Sequence, residues 1–542
     1  MSKTRTLTIS AVAVLIAMAV SVIARLLVSL IDLVTNLSFH AKFSLAPSSP
    51  ADHIWGIWVI AVPVVGGLIV GLMALYGSRA IRGHGIPEAM EQILTNQSKI
   101  KPTITYLKPV SSAIAIGTGG PFGAEGPIIA TGGALGSTIG QLIRITHNER
   151  KILLAAGATA GMSAIFGSPM AAIFLAIELL LFEFSPRSII PVALACITGA
   201  AGHHFLFGAG PVFSIHQVIE TPSNTALLLY SVMGLVVGAI SVGVTKAVYF
   251  VEDSFEKLPI HWMWWPAIGG LAVGIIGYFA PRTLGVGYQN ITDVLSGSLP
   301  AQIILNLCLM KFLSWALALG SGTSGGTLAP LLTIGGATGA MAGIFINHWM
   351  PDAGINISLA ALVGMSAMFA GASRALLTSI VFALETTGQS HALLPLLASC
   401  IAAYFVSFML MENTIMTEKI ARRGIRTPHS YEPDVLEQMV VADAMREEDH
   451  NVVADPELTS IAVYDSLRTA VEKMVRESVD VLPVVSSEQK VIGTLDYKDI
   501  LSAYEPAIND NEKKQPAISL KRRSLKLLVR LNKLQALQSK KK

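Results

Sequence analysis

Residues 123–127 read Gly-Ala-Glu-Gly-Pro and interrupt an apolar stretch that runs over about residues 110–143. That stretch is longer than the roughly 20 apolar residues that one membrane-spanning helix needs. Glycine lets the backbone approach a ligand closely, and proline in the first turn of a helix loses no hydrogen bond. The pattern therefore predicts a broken helix whose N-terminus lies inside the protein. Its unpaired N–H groups and positive partial charge can bind an anion without lysine or arginine.

The same pattern recurs 203 residues later, where residues 326–330 read Gly-Thr-Leu-Ala-Pro. After four further residues, each copy continues as Gly-Gly-Ala-x-Gly, at 132–136 and at 335–339. A second match at the same offset, Gly-Met-Ser-Ala, begins at Gly161 and at Gly364. The register predicts two repeat halves, about 1–210 and 224–416. Interrupted helices at corresponding places in two such halves are typical of a transport site between them.

A third break, residues 83–87, reads Gly-His-Gly-Ile-Pro, so that three helix N-termini are available to one dehydrated anion. Glu125 is an acid within an apolar stretch, which is energetically expensive and by default functional. Its carboxylate would compete with the anion and leave when protonated; the alternative is a glutamate that only caps its own helix. The motif residues of the three breaks are Gly83, Gly85, Ile86, Pro87, Gly123, Pro127, Gly326 and Pro330.

Composition supports a membrane protein. Of the 542 residues 52% are hydrophobic and 14% are charged, against about 25% charged in soluble proteins. Of the 75 charged residues, 41 follow Met416, so the first 416 residues are membrane-like and the last 126 have a soluble composition. The apolar run from Leu7 to Val34 predicts a retained membrane helix instead of a cleaved signal. A net charge of +3 gives no support for nucleic acid binding.

The sequence gives no sign of enzymatic chemistry or of a bound cofactor. The three cysteines all lie in apolar runs without Cys-x-x-Cys spacing and are interpreted as small buried hydrophobic residues: Cys196, Cys308 and Cys400. The twelve histidines show no paired metal-ligand spacing. We therefore expect no metal and no prosthetic group.

Taken together, the three breaks resemble the motifs of the CLC family of chloride channels and chloride/proton exchangers, and the likeness covers about residues 10–425. The resemblance implies an all-α polytopic membrane protein, built as an inverted repeat of broken and tilted helices. It also implies a homodimer with one pore per subunit and chloride as the bound and transported ion. By position, it makes Glu125 the gating glutamate. The implied anion-binding residues are His84, Gly126, Thr327, Leu328 and Met416.

Several residues depart from the family pattern. His84 stands at the place of a serine and can donate one N–H, or two when protonated, which would add a pH dependence; alternatively it packs away from the pore. Met416 stands at the place of an inner-gate tyrosine and offers bulk without a hydroxyl. Leu179 occupies the position of an inner proton-transfer glutamate, one residue after Glu178. Either Glu178 or water relays protons, or the coupling between chloride and protons is weak or absent. For both Glu178 and Glu385, the alternative to handling protons is a structural role at a helix end.

The expected function is chloride-selective transport gated by Glu125, in the form of chloride/proton exchange for which weak coupling stays open. The main alternative is a passive chloride channel without proton coupling. A fluoride/proton antiporter and a membrane-anchored sensor are further alternatives. The expected location is the inner membrane of a bacterium, in contact with membrane lipid, with the C-terminal part in the cytoplasm; the basic residues that follow Met416 suit a cytoplasmic helix end.

The soluble part begins with a linker, residues 426–439, and continues with residues 440–505, which resemble a single α/β CBS module. Such modules usually occur in pairs that bind adenosine nucleotides. Asp499 fits the ribose-binding position, whereas Asp496 would repel a phosphate, so a structural or dimerising role stays open. Residues 506–542 form a basic tail, predicted either to lie as an amphipathic helix on anionic lipid or to be solvated.

Overall fold

The computed structural model of the chain describes residues 3–143, 145–215, 219, 221–428, 436, 439–447, 459–486 and 490–503. The chain divides into two units, residues 1–432 and 433–542. The described regular elements of the first unit are helices, and the second unit contains a small sheet. The predicted basic tail lies outside the described residues, as does most of the predicted linker.

In its described residues, the first half of the membrane unit contains eight α-helices. They are α1 (Lys3–His40), α2 (Ala61–Tyr76), α3 (Ile86–Thr95), α4 (Ile104–Gly117), α5 (Glu125–Leu142), α6 (His147–Phe166), α7 (Pro169–Leu175) and α8 (Pro186–Leu206). A π-helical segment, Ala176–Leu181, continues α7. The apolar stretch of residues 110–143 is thus divided between α4 and α5, as its length and its glycine-proline break predict.

The second half repeats this order helix by helix. It contains α9 (Asn224–Glu256), α10 (Trp265–Phe279), α11 (Tyr288–Leu295), α12 (Ala301–Gly320), α13 (Leu328–Trp349), α14 (Ile357–Ser373), α15 (Leu376–Thr387) and α16 (Leu393–Leu410). The starts of α5 and α13 lie 203 residues apart, as do the ends of α4 and α12. A short helix, α17 (Glu418–Ala421), follows. The repeat register read from the sequence is therefore the register of the fold.

Within the described residues, eight helical segments are long and apolar enough to cross a membrane. They are Lys3–His40, Gly56–Tyr76, Pro186–Leu206, Asn224–Glu256, Trp262–Phe279, Ala301–Gly320, Leu328–Trp349 and Ser390–Leu410. Three shorter apolar helical segments accompany them: Pro169–Leu181, Ile357–Ser373 and Leu376–Thr387. A segment too short to span a bilayer would end at membrane depth, where its terminal N–H and C=O groups must be satisfied within the protein.

The centre of each half is a pair of closely packed helices, α5 against α6 and α13 against α14. In α6 and α14 nearly every residue is buried. Glycines lie at both contacts, Gly132 against Gly157 and Gly335 against Gly364. Because these positions have no side chain, the helix backbones approach each other directly, which is the usual packing of membrane helices through small residues. This packing fixes the direction of α5 and α13, whose N-termini are the predicted anion-binding ends.

The second unit is a small α/β module. Its described strands form a sheet in the order β1 (Arg446–Glu447), β4 (Val491–Asp496), β3 (Val481–Val485), β2 (Ile461–Ala462). Of these strand pairs, β2–β3 is parallel and the other two are antiparallel. The helix α18 (Leu467–Glu477) connects β2 to β3 and packs on the sheet. Its core consists of Val441, Ile461, Leu467, Ala470, Met474, Leu482, Val484, Leu495 and Ile500.

Candidate functional site

Backbone hydrogen bonds join the three glycine-rich breaks, although they lie far apart in the sequence. The amide of Gly83 donates to the Thr323 carbonyl at 3.3 Å, and Gly325 donates back to Gly83 at 3.4 Å. Gly123 and Gly326 exchange a pair of bonds, at 3.3 and 3.1 Å. These bonds hold the starts of α3, α5 and α13 in one place. The convergence that the motifs predict is therefore present in the fold.

The approach of these loops depends on the absence of side chains. A Cβ atom built on Gly126 would lie 2.1 Å from the His84 carbonyl oxygen and 2.9 Å from the Gly326 Cα atom. Gly85 has a φ of 96°, a left-handed backbone conformation that favours glycine, and its Cβ would lie 2.3 Å from the Gly126 carbonyl oxygen. Any larger residue at either place would push the helix starts apart.

Glu125 is the first residue of α5 and is completely buried between these loops. Its Oε1 atom accepts a hydrogen bond from the Tyr288 hydroxyl at 3.1 Å, whereas Oε2 has no hydrogen-bond partner among the residues described. The carboxylate folds back over Gly123, since a Cβ built there would lie 1.6 Å from Oε2. A Cβ on Gly326 would lie 3.1 Å from the same oxygen. A buried carboxylate with a free acceptor thus occupies the space between the starts of α5 and α13.

The start of α13 presents backbone groups only. Thr327 and Leu328 are both buried, and the Thr327 side chain makes no capping bond to the helix. The amide of Leu331 is the first of this helix that bonds a carbonyl four residues back, that of Thr327. The earlier amides of α13 have no such acceptor, as at any helix start. This geometry fits the predicted backbone role of Thr327 and Leu328.

The start of α3 differs, because a side chain already caps it. Glu88 accepts the Gly85 amide at 2.7 Å, and its other oxygen lies 3.5 Å from the Lys419 ammonium. His84, between Gly83 and Gly85, is buried, and its Nδ1 atom has no hydrogen-bond partner in the described part of the chain. The third break therefore carries a buried donor or acceptor that no described residue satisfies.

Met416 is fully buried in the turn that follows α16. Its neighbour Ile415 accepts the Tyr249 hydroxyl at 2.8 Å and donates its amide to Ala372 at 3.0 Å, which fixes the turn against α9 and α14. Three residues after Met416, the Lys419 ammonium lies 3.3 Å from a Cβ built on Gly83. The chain segment that carries Met416 thus continues directly to the break at residues 83–87.

Glu178 lies apart from the three breaks, at the N-terminus of α15. Its carboxylate accepts the amides of Leu377 and Thr378, both at 2.9 Å, and the Thr378 hydroxyl at 2.7 Å. Glu385 does the same for α7, where it accepts the amides of Met170 and Ala171 at 3.0 and 2.9 Å. Each glutamate therefore caps a helix of the other half. Leu179, next to Glu178, is buried.

Two buried lysines complete the surroundings of the site and were not selected from the sequence. The Lys108 ammonium, on α4, donates to the carbonyls of Ile81 and Gly83, both at 2.8 Å. The Lys311 ammonium, on α12, donates to the carbonyls of Thr283 and Gly285 at 3.0 and 2.9 Å. The two lysines are 203 residues apart, the offset of the repeat. A single lysine at corresponding positions of two apolar helices is the signal that could have identified them.

Asp499, the predicted ribose-binding residue, lies in the second unit beside β1. Its Oδ1 accepts the Arg446 guanidinium at 3.0 and 2.7 Å, and its Oδ2 accepts the Asp496 amide at 3.1 Å. Both carboxylate oxygens are therefore engaged within the module. Nucleotide binding at Asp499 remains a prediction, and it would require the Arg446 pair to open.

Residues 65–408 match the family model described as voltage gated chloride channel, and residues 441–506 match that of the CBS domain. The first match covers more than half of the chain. The chain belongs to the CLC family. It is an integral, multi-pass membrane protein with the all-helical CLC fold of two inverted halves and a C-terminal CBS module, as predicted.

The sequence similarity to two curated relatives covers about 70% of this CLC chain. The H⁺/Cl⁻ exchange transporter ClcA of Yersinia pestis bv. Antiqua (strain Angola) is 29% identical over 401 residues, which are 70% of this chain and 81% of the relative. ClcA of Salmonella paratyphi B is 28% identical over 396 residues, 69% and 81% of the two chains. Both are relatives of this chain by sequence, and both are named as H⁺/Cl⁻ exchange transporters.

Two solved structures are similar in fold. A slow cyanobacterial Cl⁻/H⁺ antiporter matches with a TM-score of 0.69 and 23% identity, over 77% of this chain and 98% of its own. A eukaryotic CLC transporter matches with a TM-score of 0.66 and 18% identity, over 92% and 99% of the two chains. At these identities the likeness supports the fold alone.

Proposed function

We propose that this CLC protein transports chloride across a membrane in exchange for protons, with the Glu125 side chain as the gate. The observation that carries the proposal is the position of the Glu125 carboxylate, which is buried between the starts of α5 and α13 with Oε2 unpartnered. An anion held by helix N-termini would occupy the same kind of place. Protonation removes the negative charge that those ends attract, so the side chain can leave and an anion can enter.

The proposed anion contacts are the backbone amides of Gly126, Thr327 and Leu328, together with His84 at the start of α3. Chloride suits them because it needs hydrogen-bond donors and a positive potential but no directional geometry. Met416 would form an inner constriction by bulk. ClcA relatives, named as H⁺/Cl⁻ exchange transporters, support chloride and protons as the exchanged ions.

Proton coupling is the finer part of the proposal. Leu179 cannot carry a proton, so the inner end of a proton path would use Glu178 or water. The Glu178 carboxylate already accepts three hydrogen bonds, and a proton on it would weaken them because it removes the negative charge that strengthens them. We therefore propose weak coupling, with a passive chloride channel as the second candidate function.

The proposed transport function also implies contacts with membrane lipid, a dimer and a membrane location. Large apolar side chains exposed on α8, α9 and α16 would contact membrane lipid, among them Phe205, Phe250 and Phe405. A homodimer with one pore in each subunit and a cytoplasmic CBS module in a bacterial inner membrane are further parts of the proposal. The CBS module would bind a nucleotide only if Arg446 released Asp499.

The test uses purified protein in liposomes, with chloride efflux and external pH recorded together, for the wild type and for Glu125→Gln. The expected result is that a chloride gradient drives protons uphill in the wild type, and that the variant loses proton movement but keeps chloride flux. Glu385→Gln is the matched control, since it removes a carboxylate that caps α7. Chloride flux without proton movement in every protein would favour the channel. No anion flux from folded protein would refute transport.

A further inference from the structure

The hydrogen bond between Tyr288 and Glu125 joins the two halves of the repeat at the proposed gate. Tyr288 is the first residue of α11, and its hydroxyl donates to Oε1 of Glu125 at 3.1 Å. The two residues are 163 positions apart in the chain. Among the described residues, Tyr288 is the side chain that donates a hydrogen bond to the Glu125 carboxylate.

The backbone around Tyr288 repeats that of the break at residues 83–87. Gly285 and Gly287 have φ values of 67° and 76°, as Gly83 and Gly85 have values of 93° and 96° in the first half. α11 then begins at Tyr288 as α3 begins at Ile86. The second half therefore places a hydroxyl where the first half has an aliphatic side chain.

The Tyr288 ring is held by aromatic neighbours. Its centroid lies 5.9 Å from that of Phe166 and 6.0 Å from that of Phe213, both in edge-on arrangements. Phe166 in turn packs edge-on against Phe382 at 4.9 Å. Such contacts are favourable ring geometries, and the phenylalanines are buried. The ring position is therefore set by packing, and the hydroxyl is presented to Glu125 without depending on that bond.

We propose that Tyr288 is a positioning residue that retains the ionised Glu125 side chain in the closed position. This inference rests on the proposed gating role of Glu125. A hydroxyl that donates to a carboxylate stabilises the ionised form more than the protonated form. The phenol would therefore hold the side chain at the gate until a proton arrives, and would delay its exchange for chloride.

Other charged or titratable groups near α5 must be considered with Tyr288. The helices packed against α5 are α1, α3, α4, α6 and α13, and each carries charged or titratable side chains. They are Lys3, Arg5, Arg25, Asp32 and His40 on α1; His84, Glu88 and Glu91 at or on α3; Tyr106 and Lys108 on α4; His147, Glu149, Arg150 and Lys151 on α6; and His348 on α13. Among them, the His84 carbonyl contacts Gly126, the residue that follows Glu125. A pH effect of Tyr288→Phe must therefore be shown to act through Glu125.

The expected size of the effect follows from the bond. At 3.1 Å it is longer than the 2.5–2.7 Å typical of strong hydroxyl–carboxylate bonds, so its contribution is expected near the lower limit for bonds to charged groups. That corresponds to about a tenfold change in equilibrium, or about one pH unit. Tyr288→Phe should raise the pH at which chloride flux is half-maximal by about one unit, and it should increase flux near neutral pH.

The experiment compares pH profiles of chloride flux in liposomes for the wild type, Tyr288→Phe, Glu125→Gln and the double variant. Tyr230→Phe is the matched control, because the Tyr230 hydroxyl bonds the backbone of Asn356, the residue before α14, and not the gate. The inference expects an upward shift in Tyr288→Phe, none in Tyr230→Phe, and no further change when Tyr288→Phe is added to Glu125→Gln. A wild-type profile in Tyr288→Phe would overturn it, and so would an equal shift in the Glu125→Gln background.

Failure of the proposed gate is distinguishable from failure of this inference. If Glu125→Gln keeps the wild-type pH profile, Glu125 is not the gate and both fall. If Glu125→Gln abolishes the pH dependence but Tyr288→Phe does not shift it, only the role of Tyr288 falls. Infrared difference spectra give a readout without flux: the carboxyl C=O band that is absent in Glu125→Gln should move in Tyr288→Phe. An unmoved band would also overturn the inference.

Discussion

Replacing Glu178 by glutamine tests whether this residue caps a helix or relays protons. The carboxylate accepts three bonds at the start of α15. Glutamine keeps one acceptor oxygen, and its NH₂ group must face at least one of the donors. Leaving a buried N–H unsatisfied costs about 1–3 kcal/mol. The remaining hydrogen bonds lose roughly half their strength, because glutamine does not carry the negative charge of the carboxylate. We expect Glu178→Gln to destabilise the membrane unit by about 3 kcal/mol.

Two measurements separate the possibilities. The apparent midpoint of thermal unfolding of the detergent-solubilised protein should fall by about 5 °C, given that 1 kcal/mol moves domains of 150–250 residues by about 2–4 °C and larger units by less. In liposomes, the ratio of protons to chloride ions moved should equal that of the wild type. Glu385→Gln, which removes the two-bond cap of α7, should behave in the same way with a smaller fall.

The opposite result would refute the capping argument. If Glu178→Gln keeps the wild-type unfolding midpoint but moves chloride without protons, the three hydrogen bonds do not matter for stability and Glu178 serves as the relay beside Leu179. If the wild type itself moves no protons, the unfolding midpoint alone decides, and an unchanged value contradicts the cap.

Two more predictions concern the loops and the buried lysines. Gly126→Ala should reduce chloride flux at least tenfold, because the added Cβ would lie 2.1 Å from the His84 carbonyl oxygen. The control is Gly133→Ala on the same helix, whose added Cβ would lie 3.4 Å from its nearest neighbour and which should keep chloride flux within about twofold of the wild type. Equal fluxes in the two variants would refute the argument. Lys311→Met leaves two carbonyls without their donor and should destabilise the protein by about 2 kcal/mol in thermal unfolding, whereas the exposed Lys99→Met should leave the midpoint unchanged.

The sequence predicted the parts of the site that are encoded locally. The starts of α5 at Glu125 and of α13 at Leu328 follow from glycine and proline at fixed places in apolar runs, and the structure confirms both. The convergence of the breaks followed from the repeat, since equivalent helices of two related halves meet at their interface. Short motifs and a repeat register thus sufficed for the architecture.

Contacts between side chains distant in the chain could not be predicted in this way. The cap that Glu178 places on α15 joins residues about 200 positions apart, and nothing near Glu178 indicates its partner. Glu88 likewise reads as an ordinary first-turn acid until the fold places Lys419 beside it. Such bonds depend on how the helices pack, which a linear pattern of polar and apolar residues does not contain.

The repeat nevertheless explains how the two halves come to differ at the gate. Lys108 and Lys311 bind equivalent carbonyl pairs, so the loops before α3 and α11 are held in the same way. With the backbone fixed, the function of each loop is set by its side chains. The first loop presents His84, and the second presents the Tyr288 hydroxyl to Glu125. On the proposed function, one backbone geometry would therefore serve an anion-binding end in one half and a support for the gate in the other.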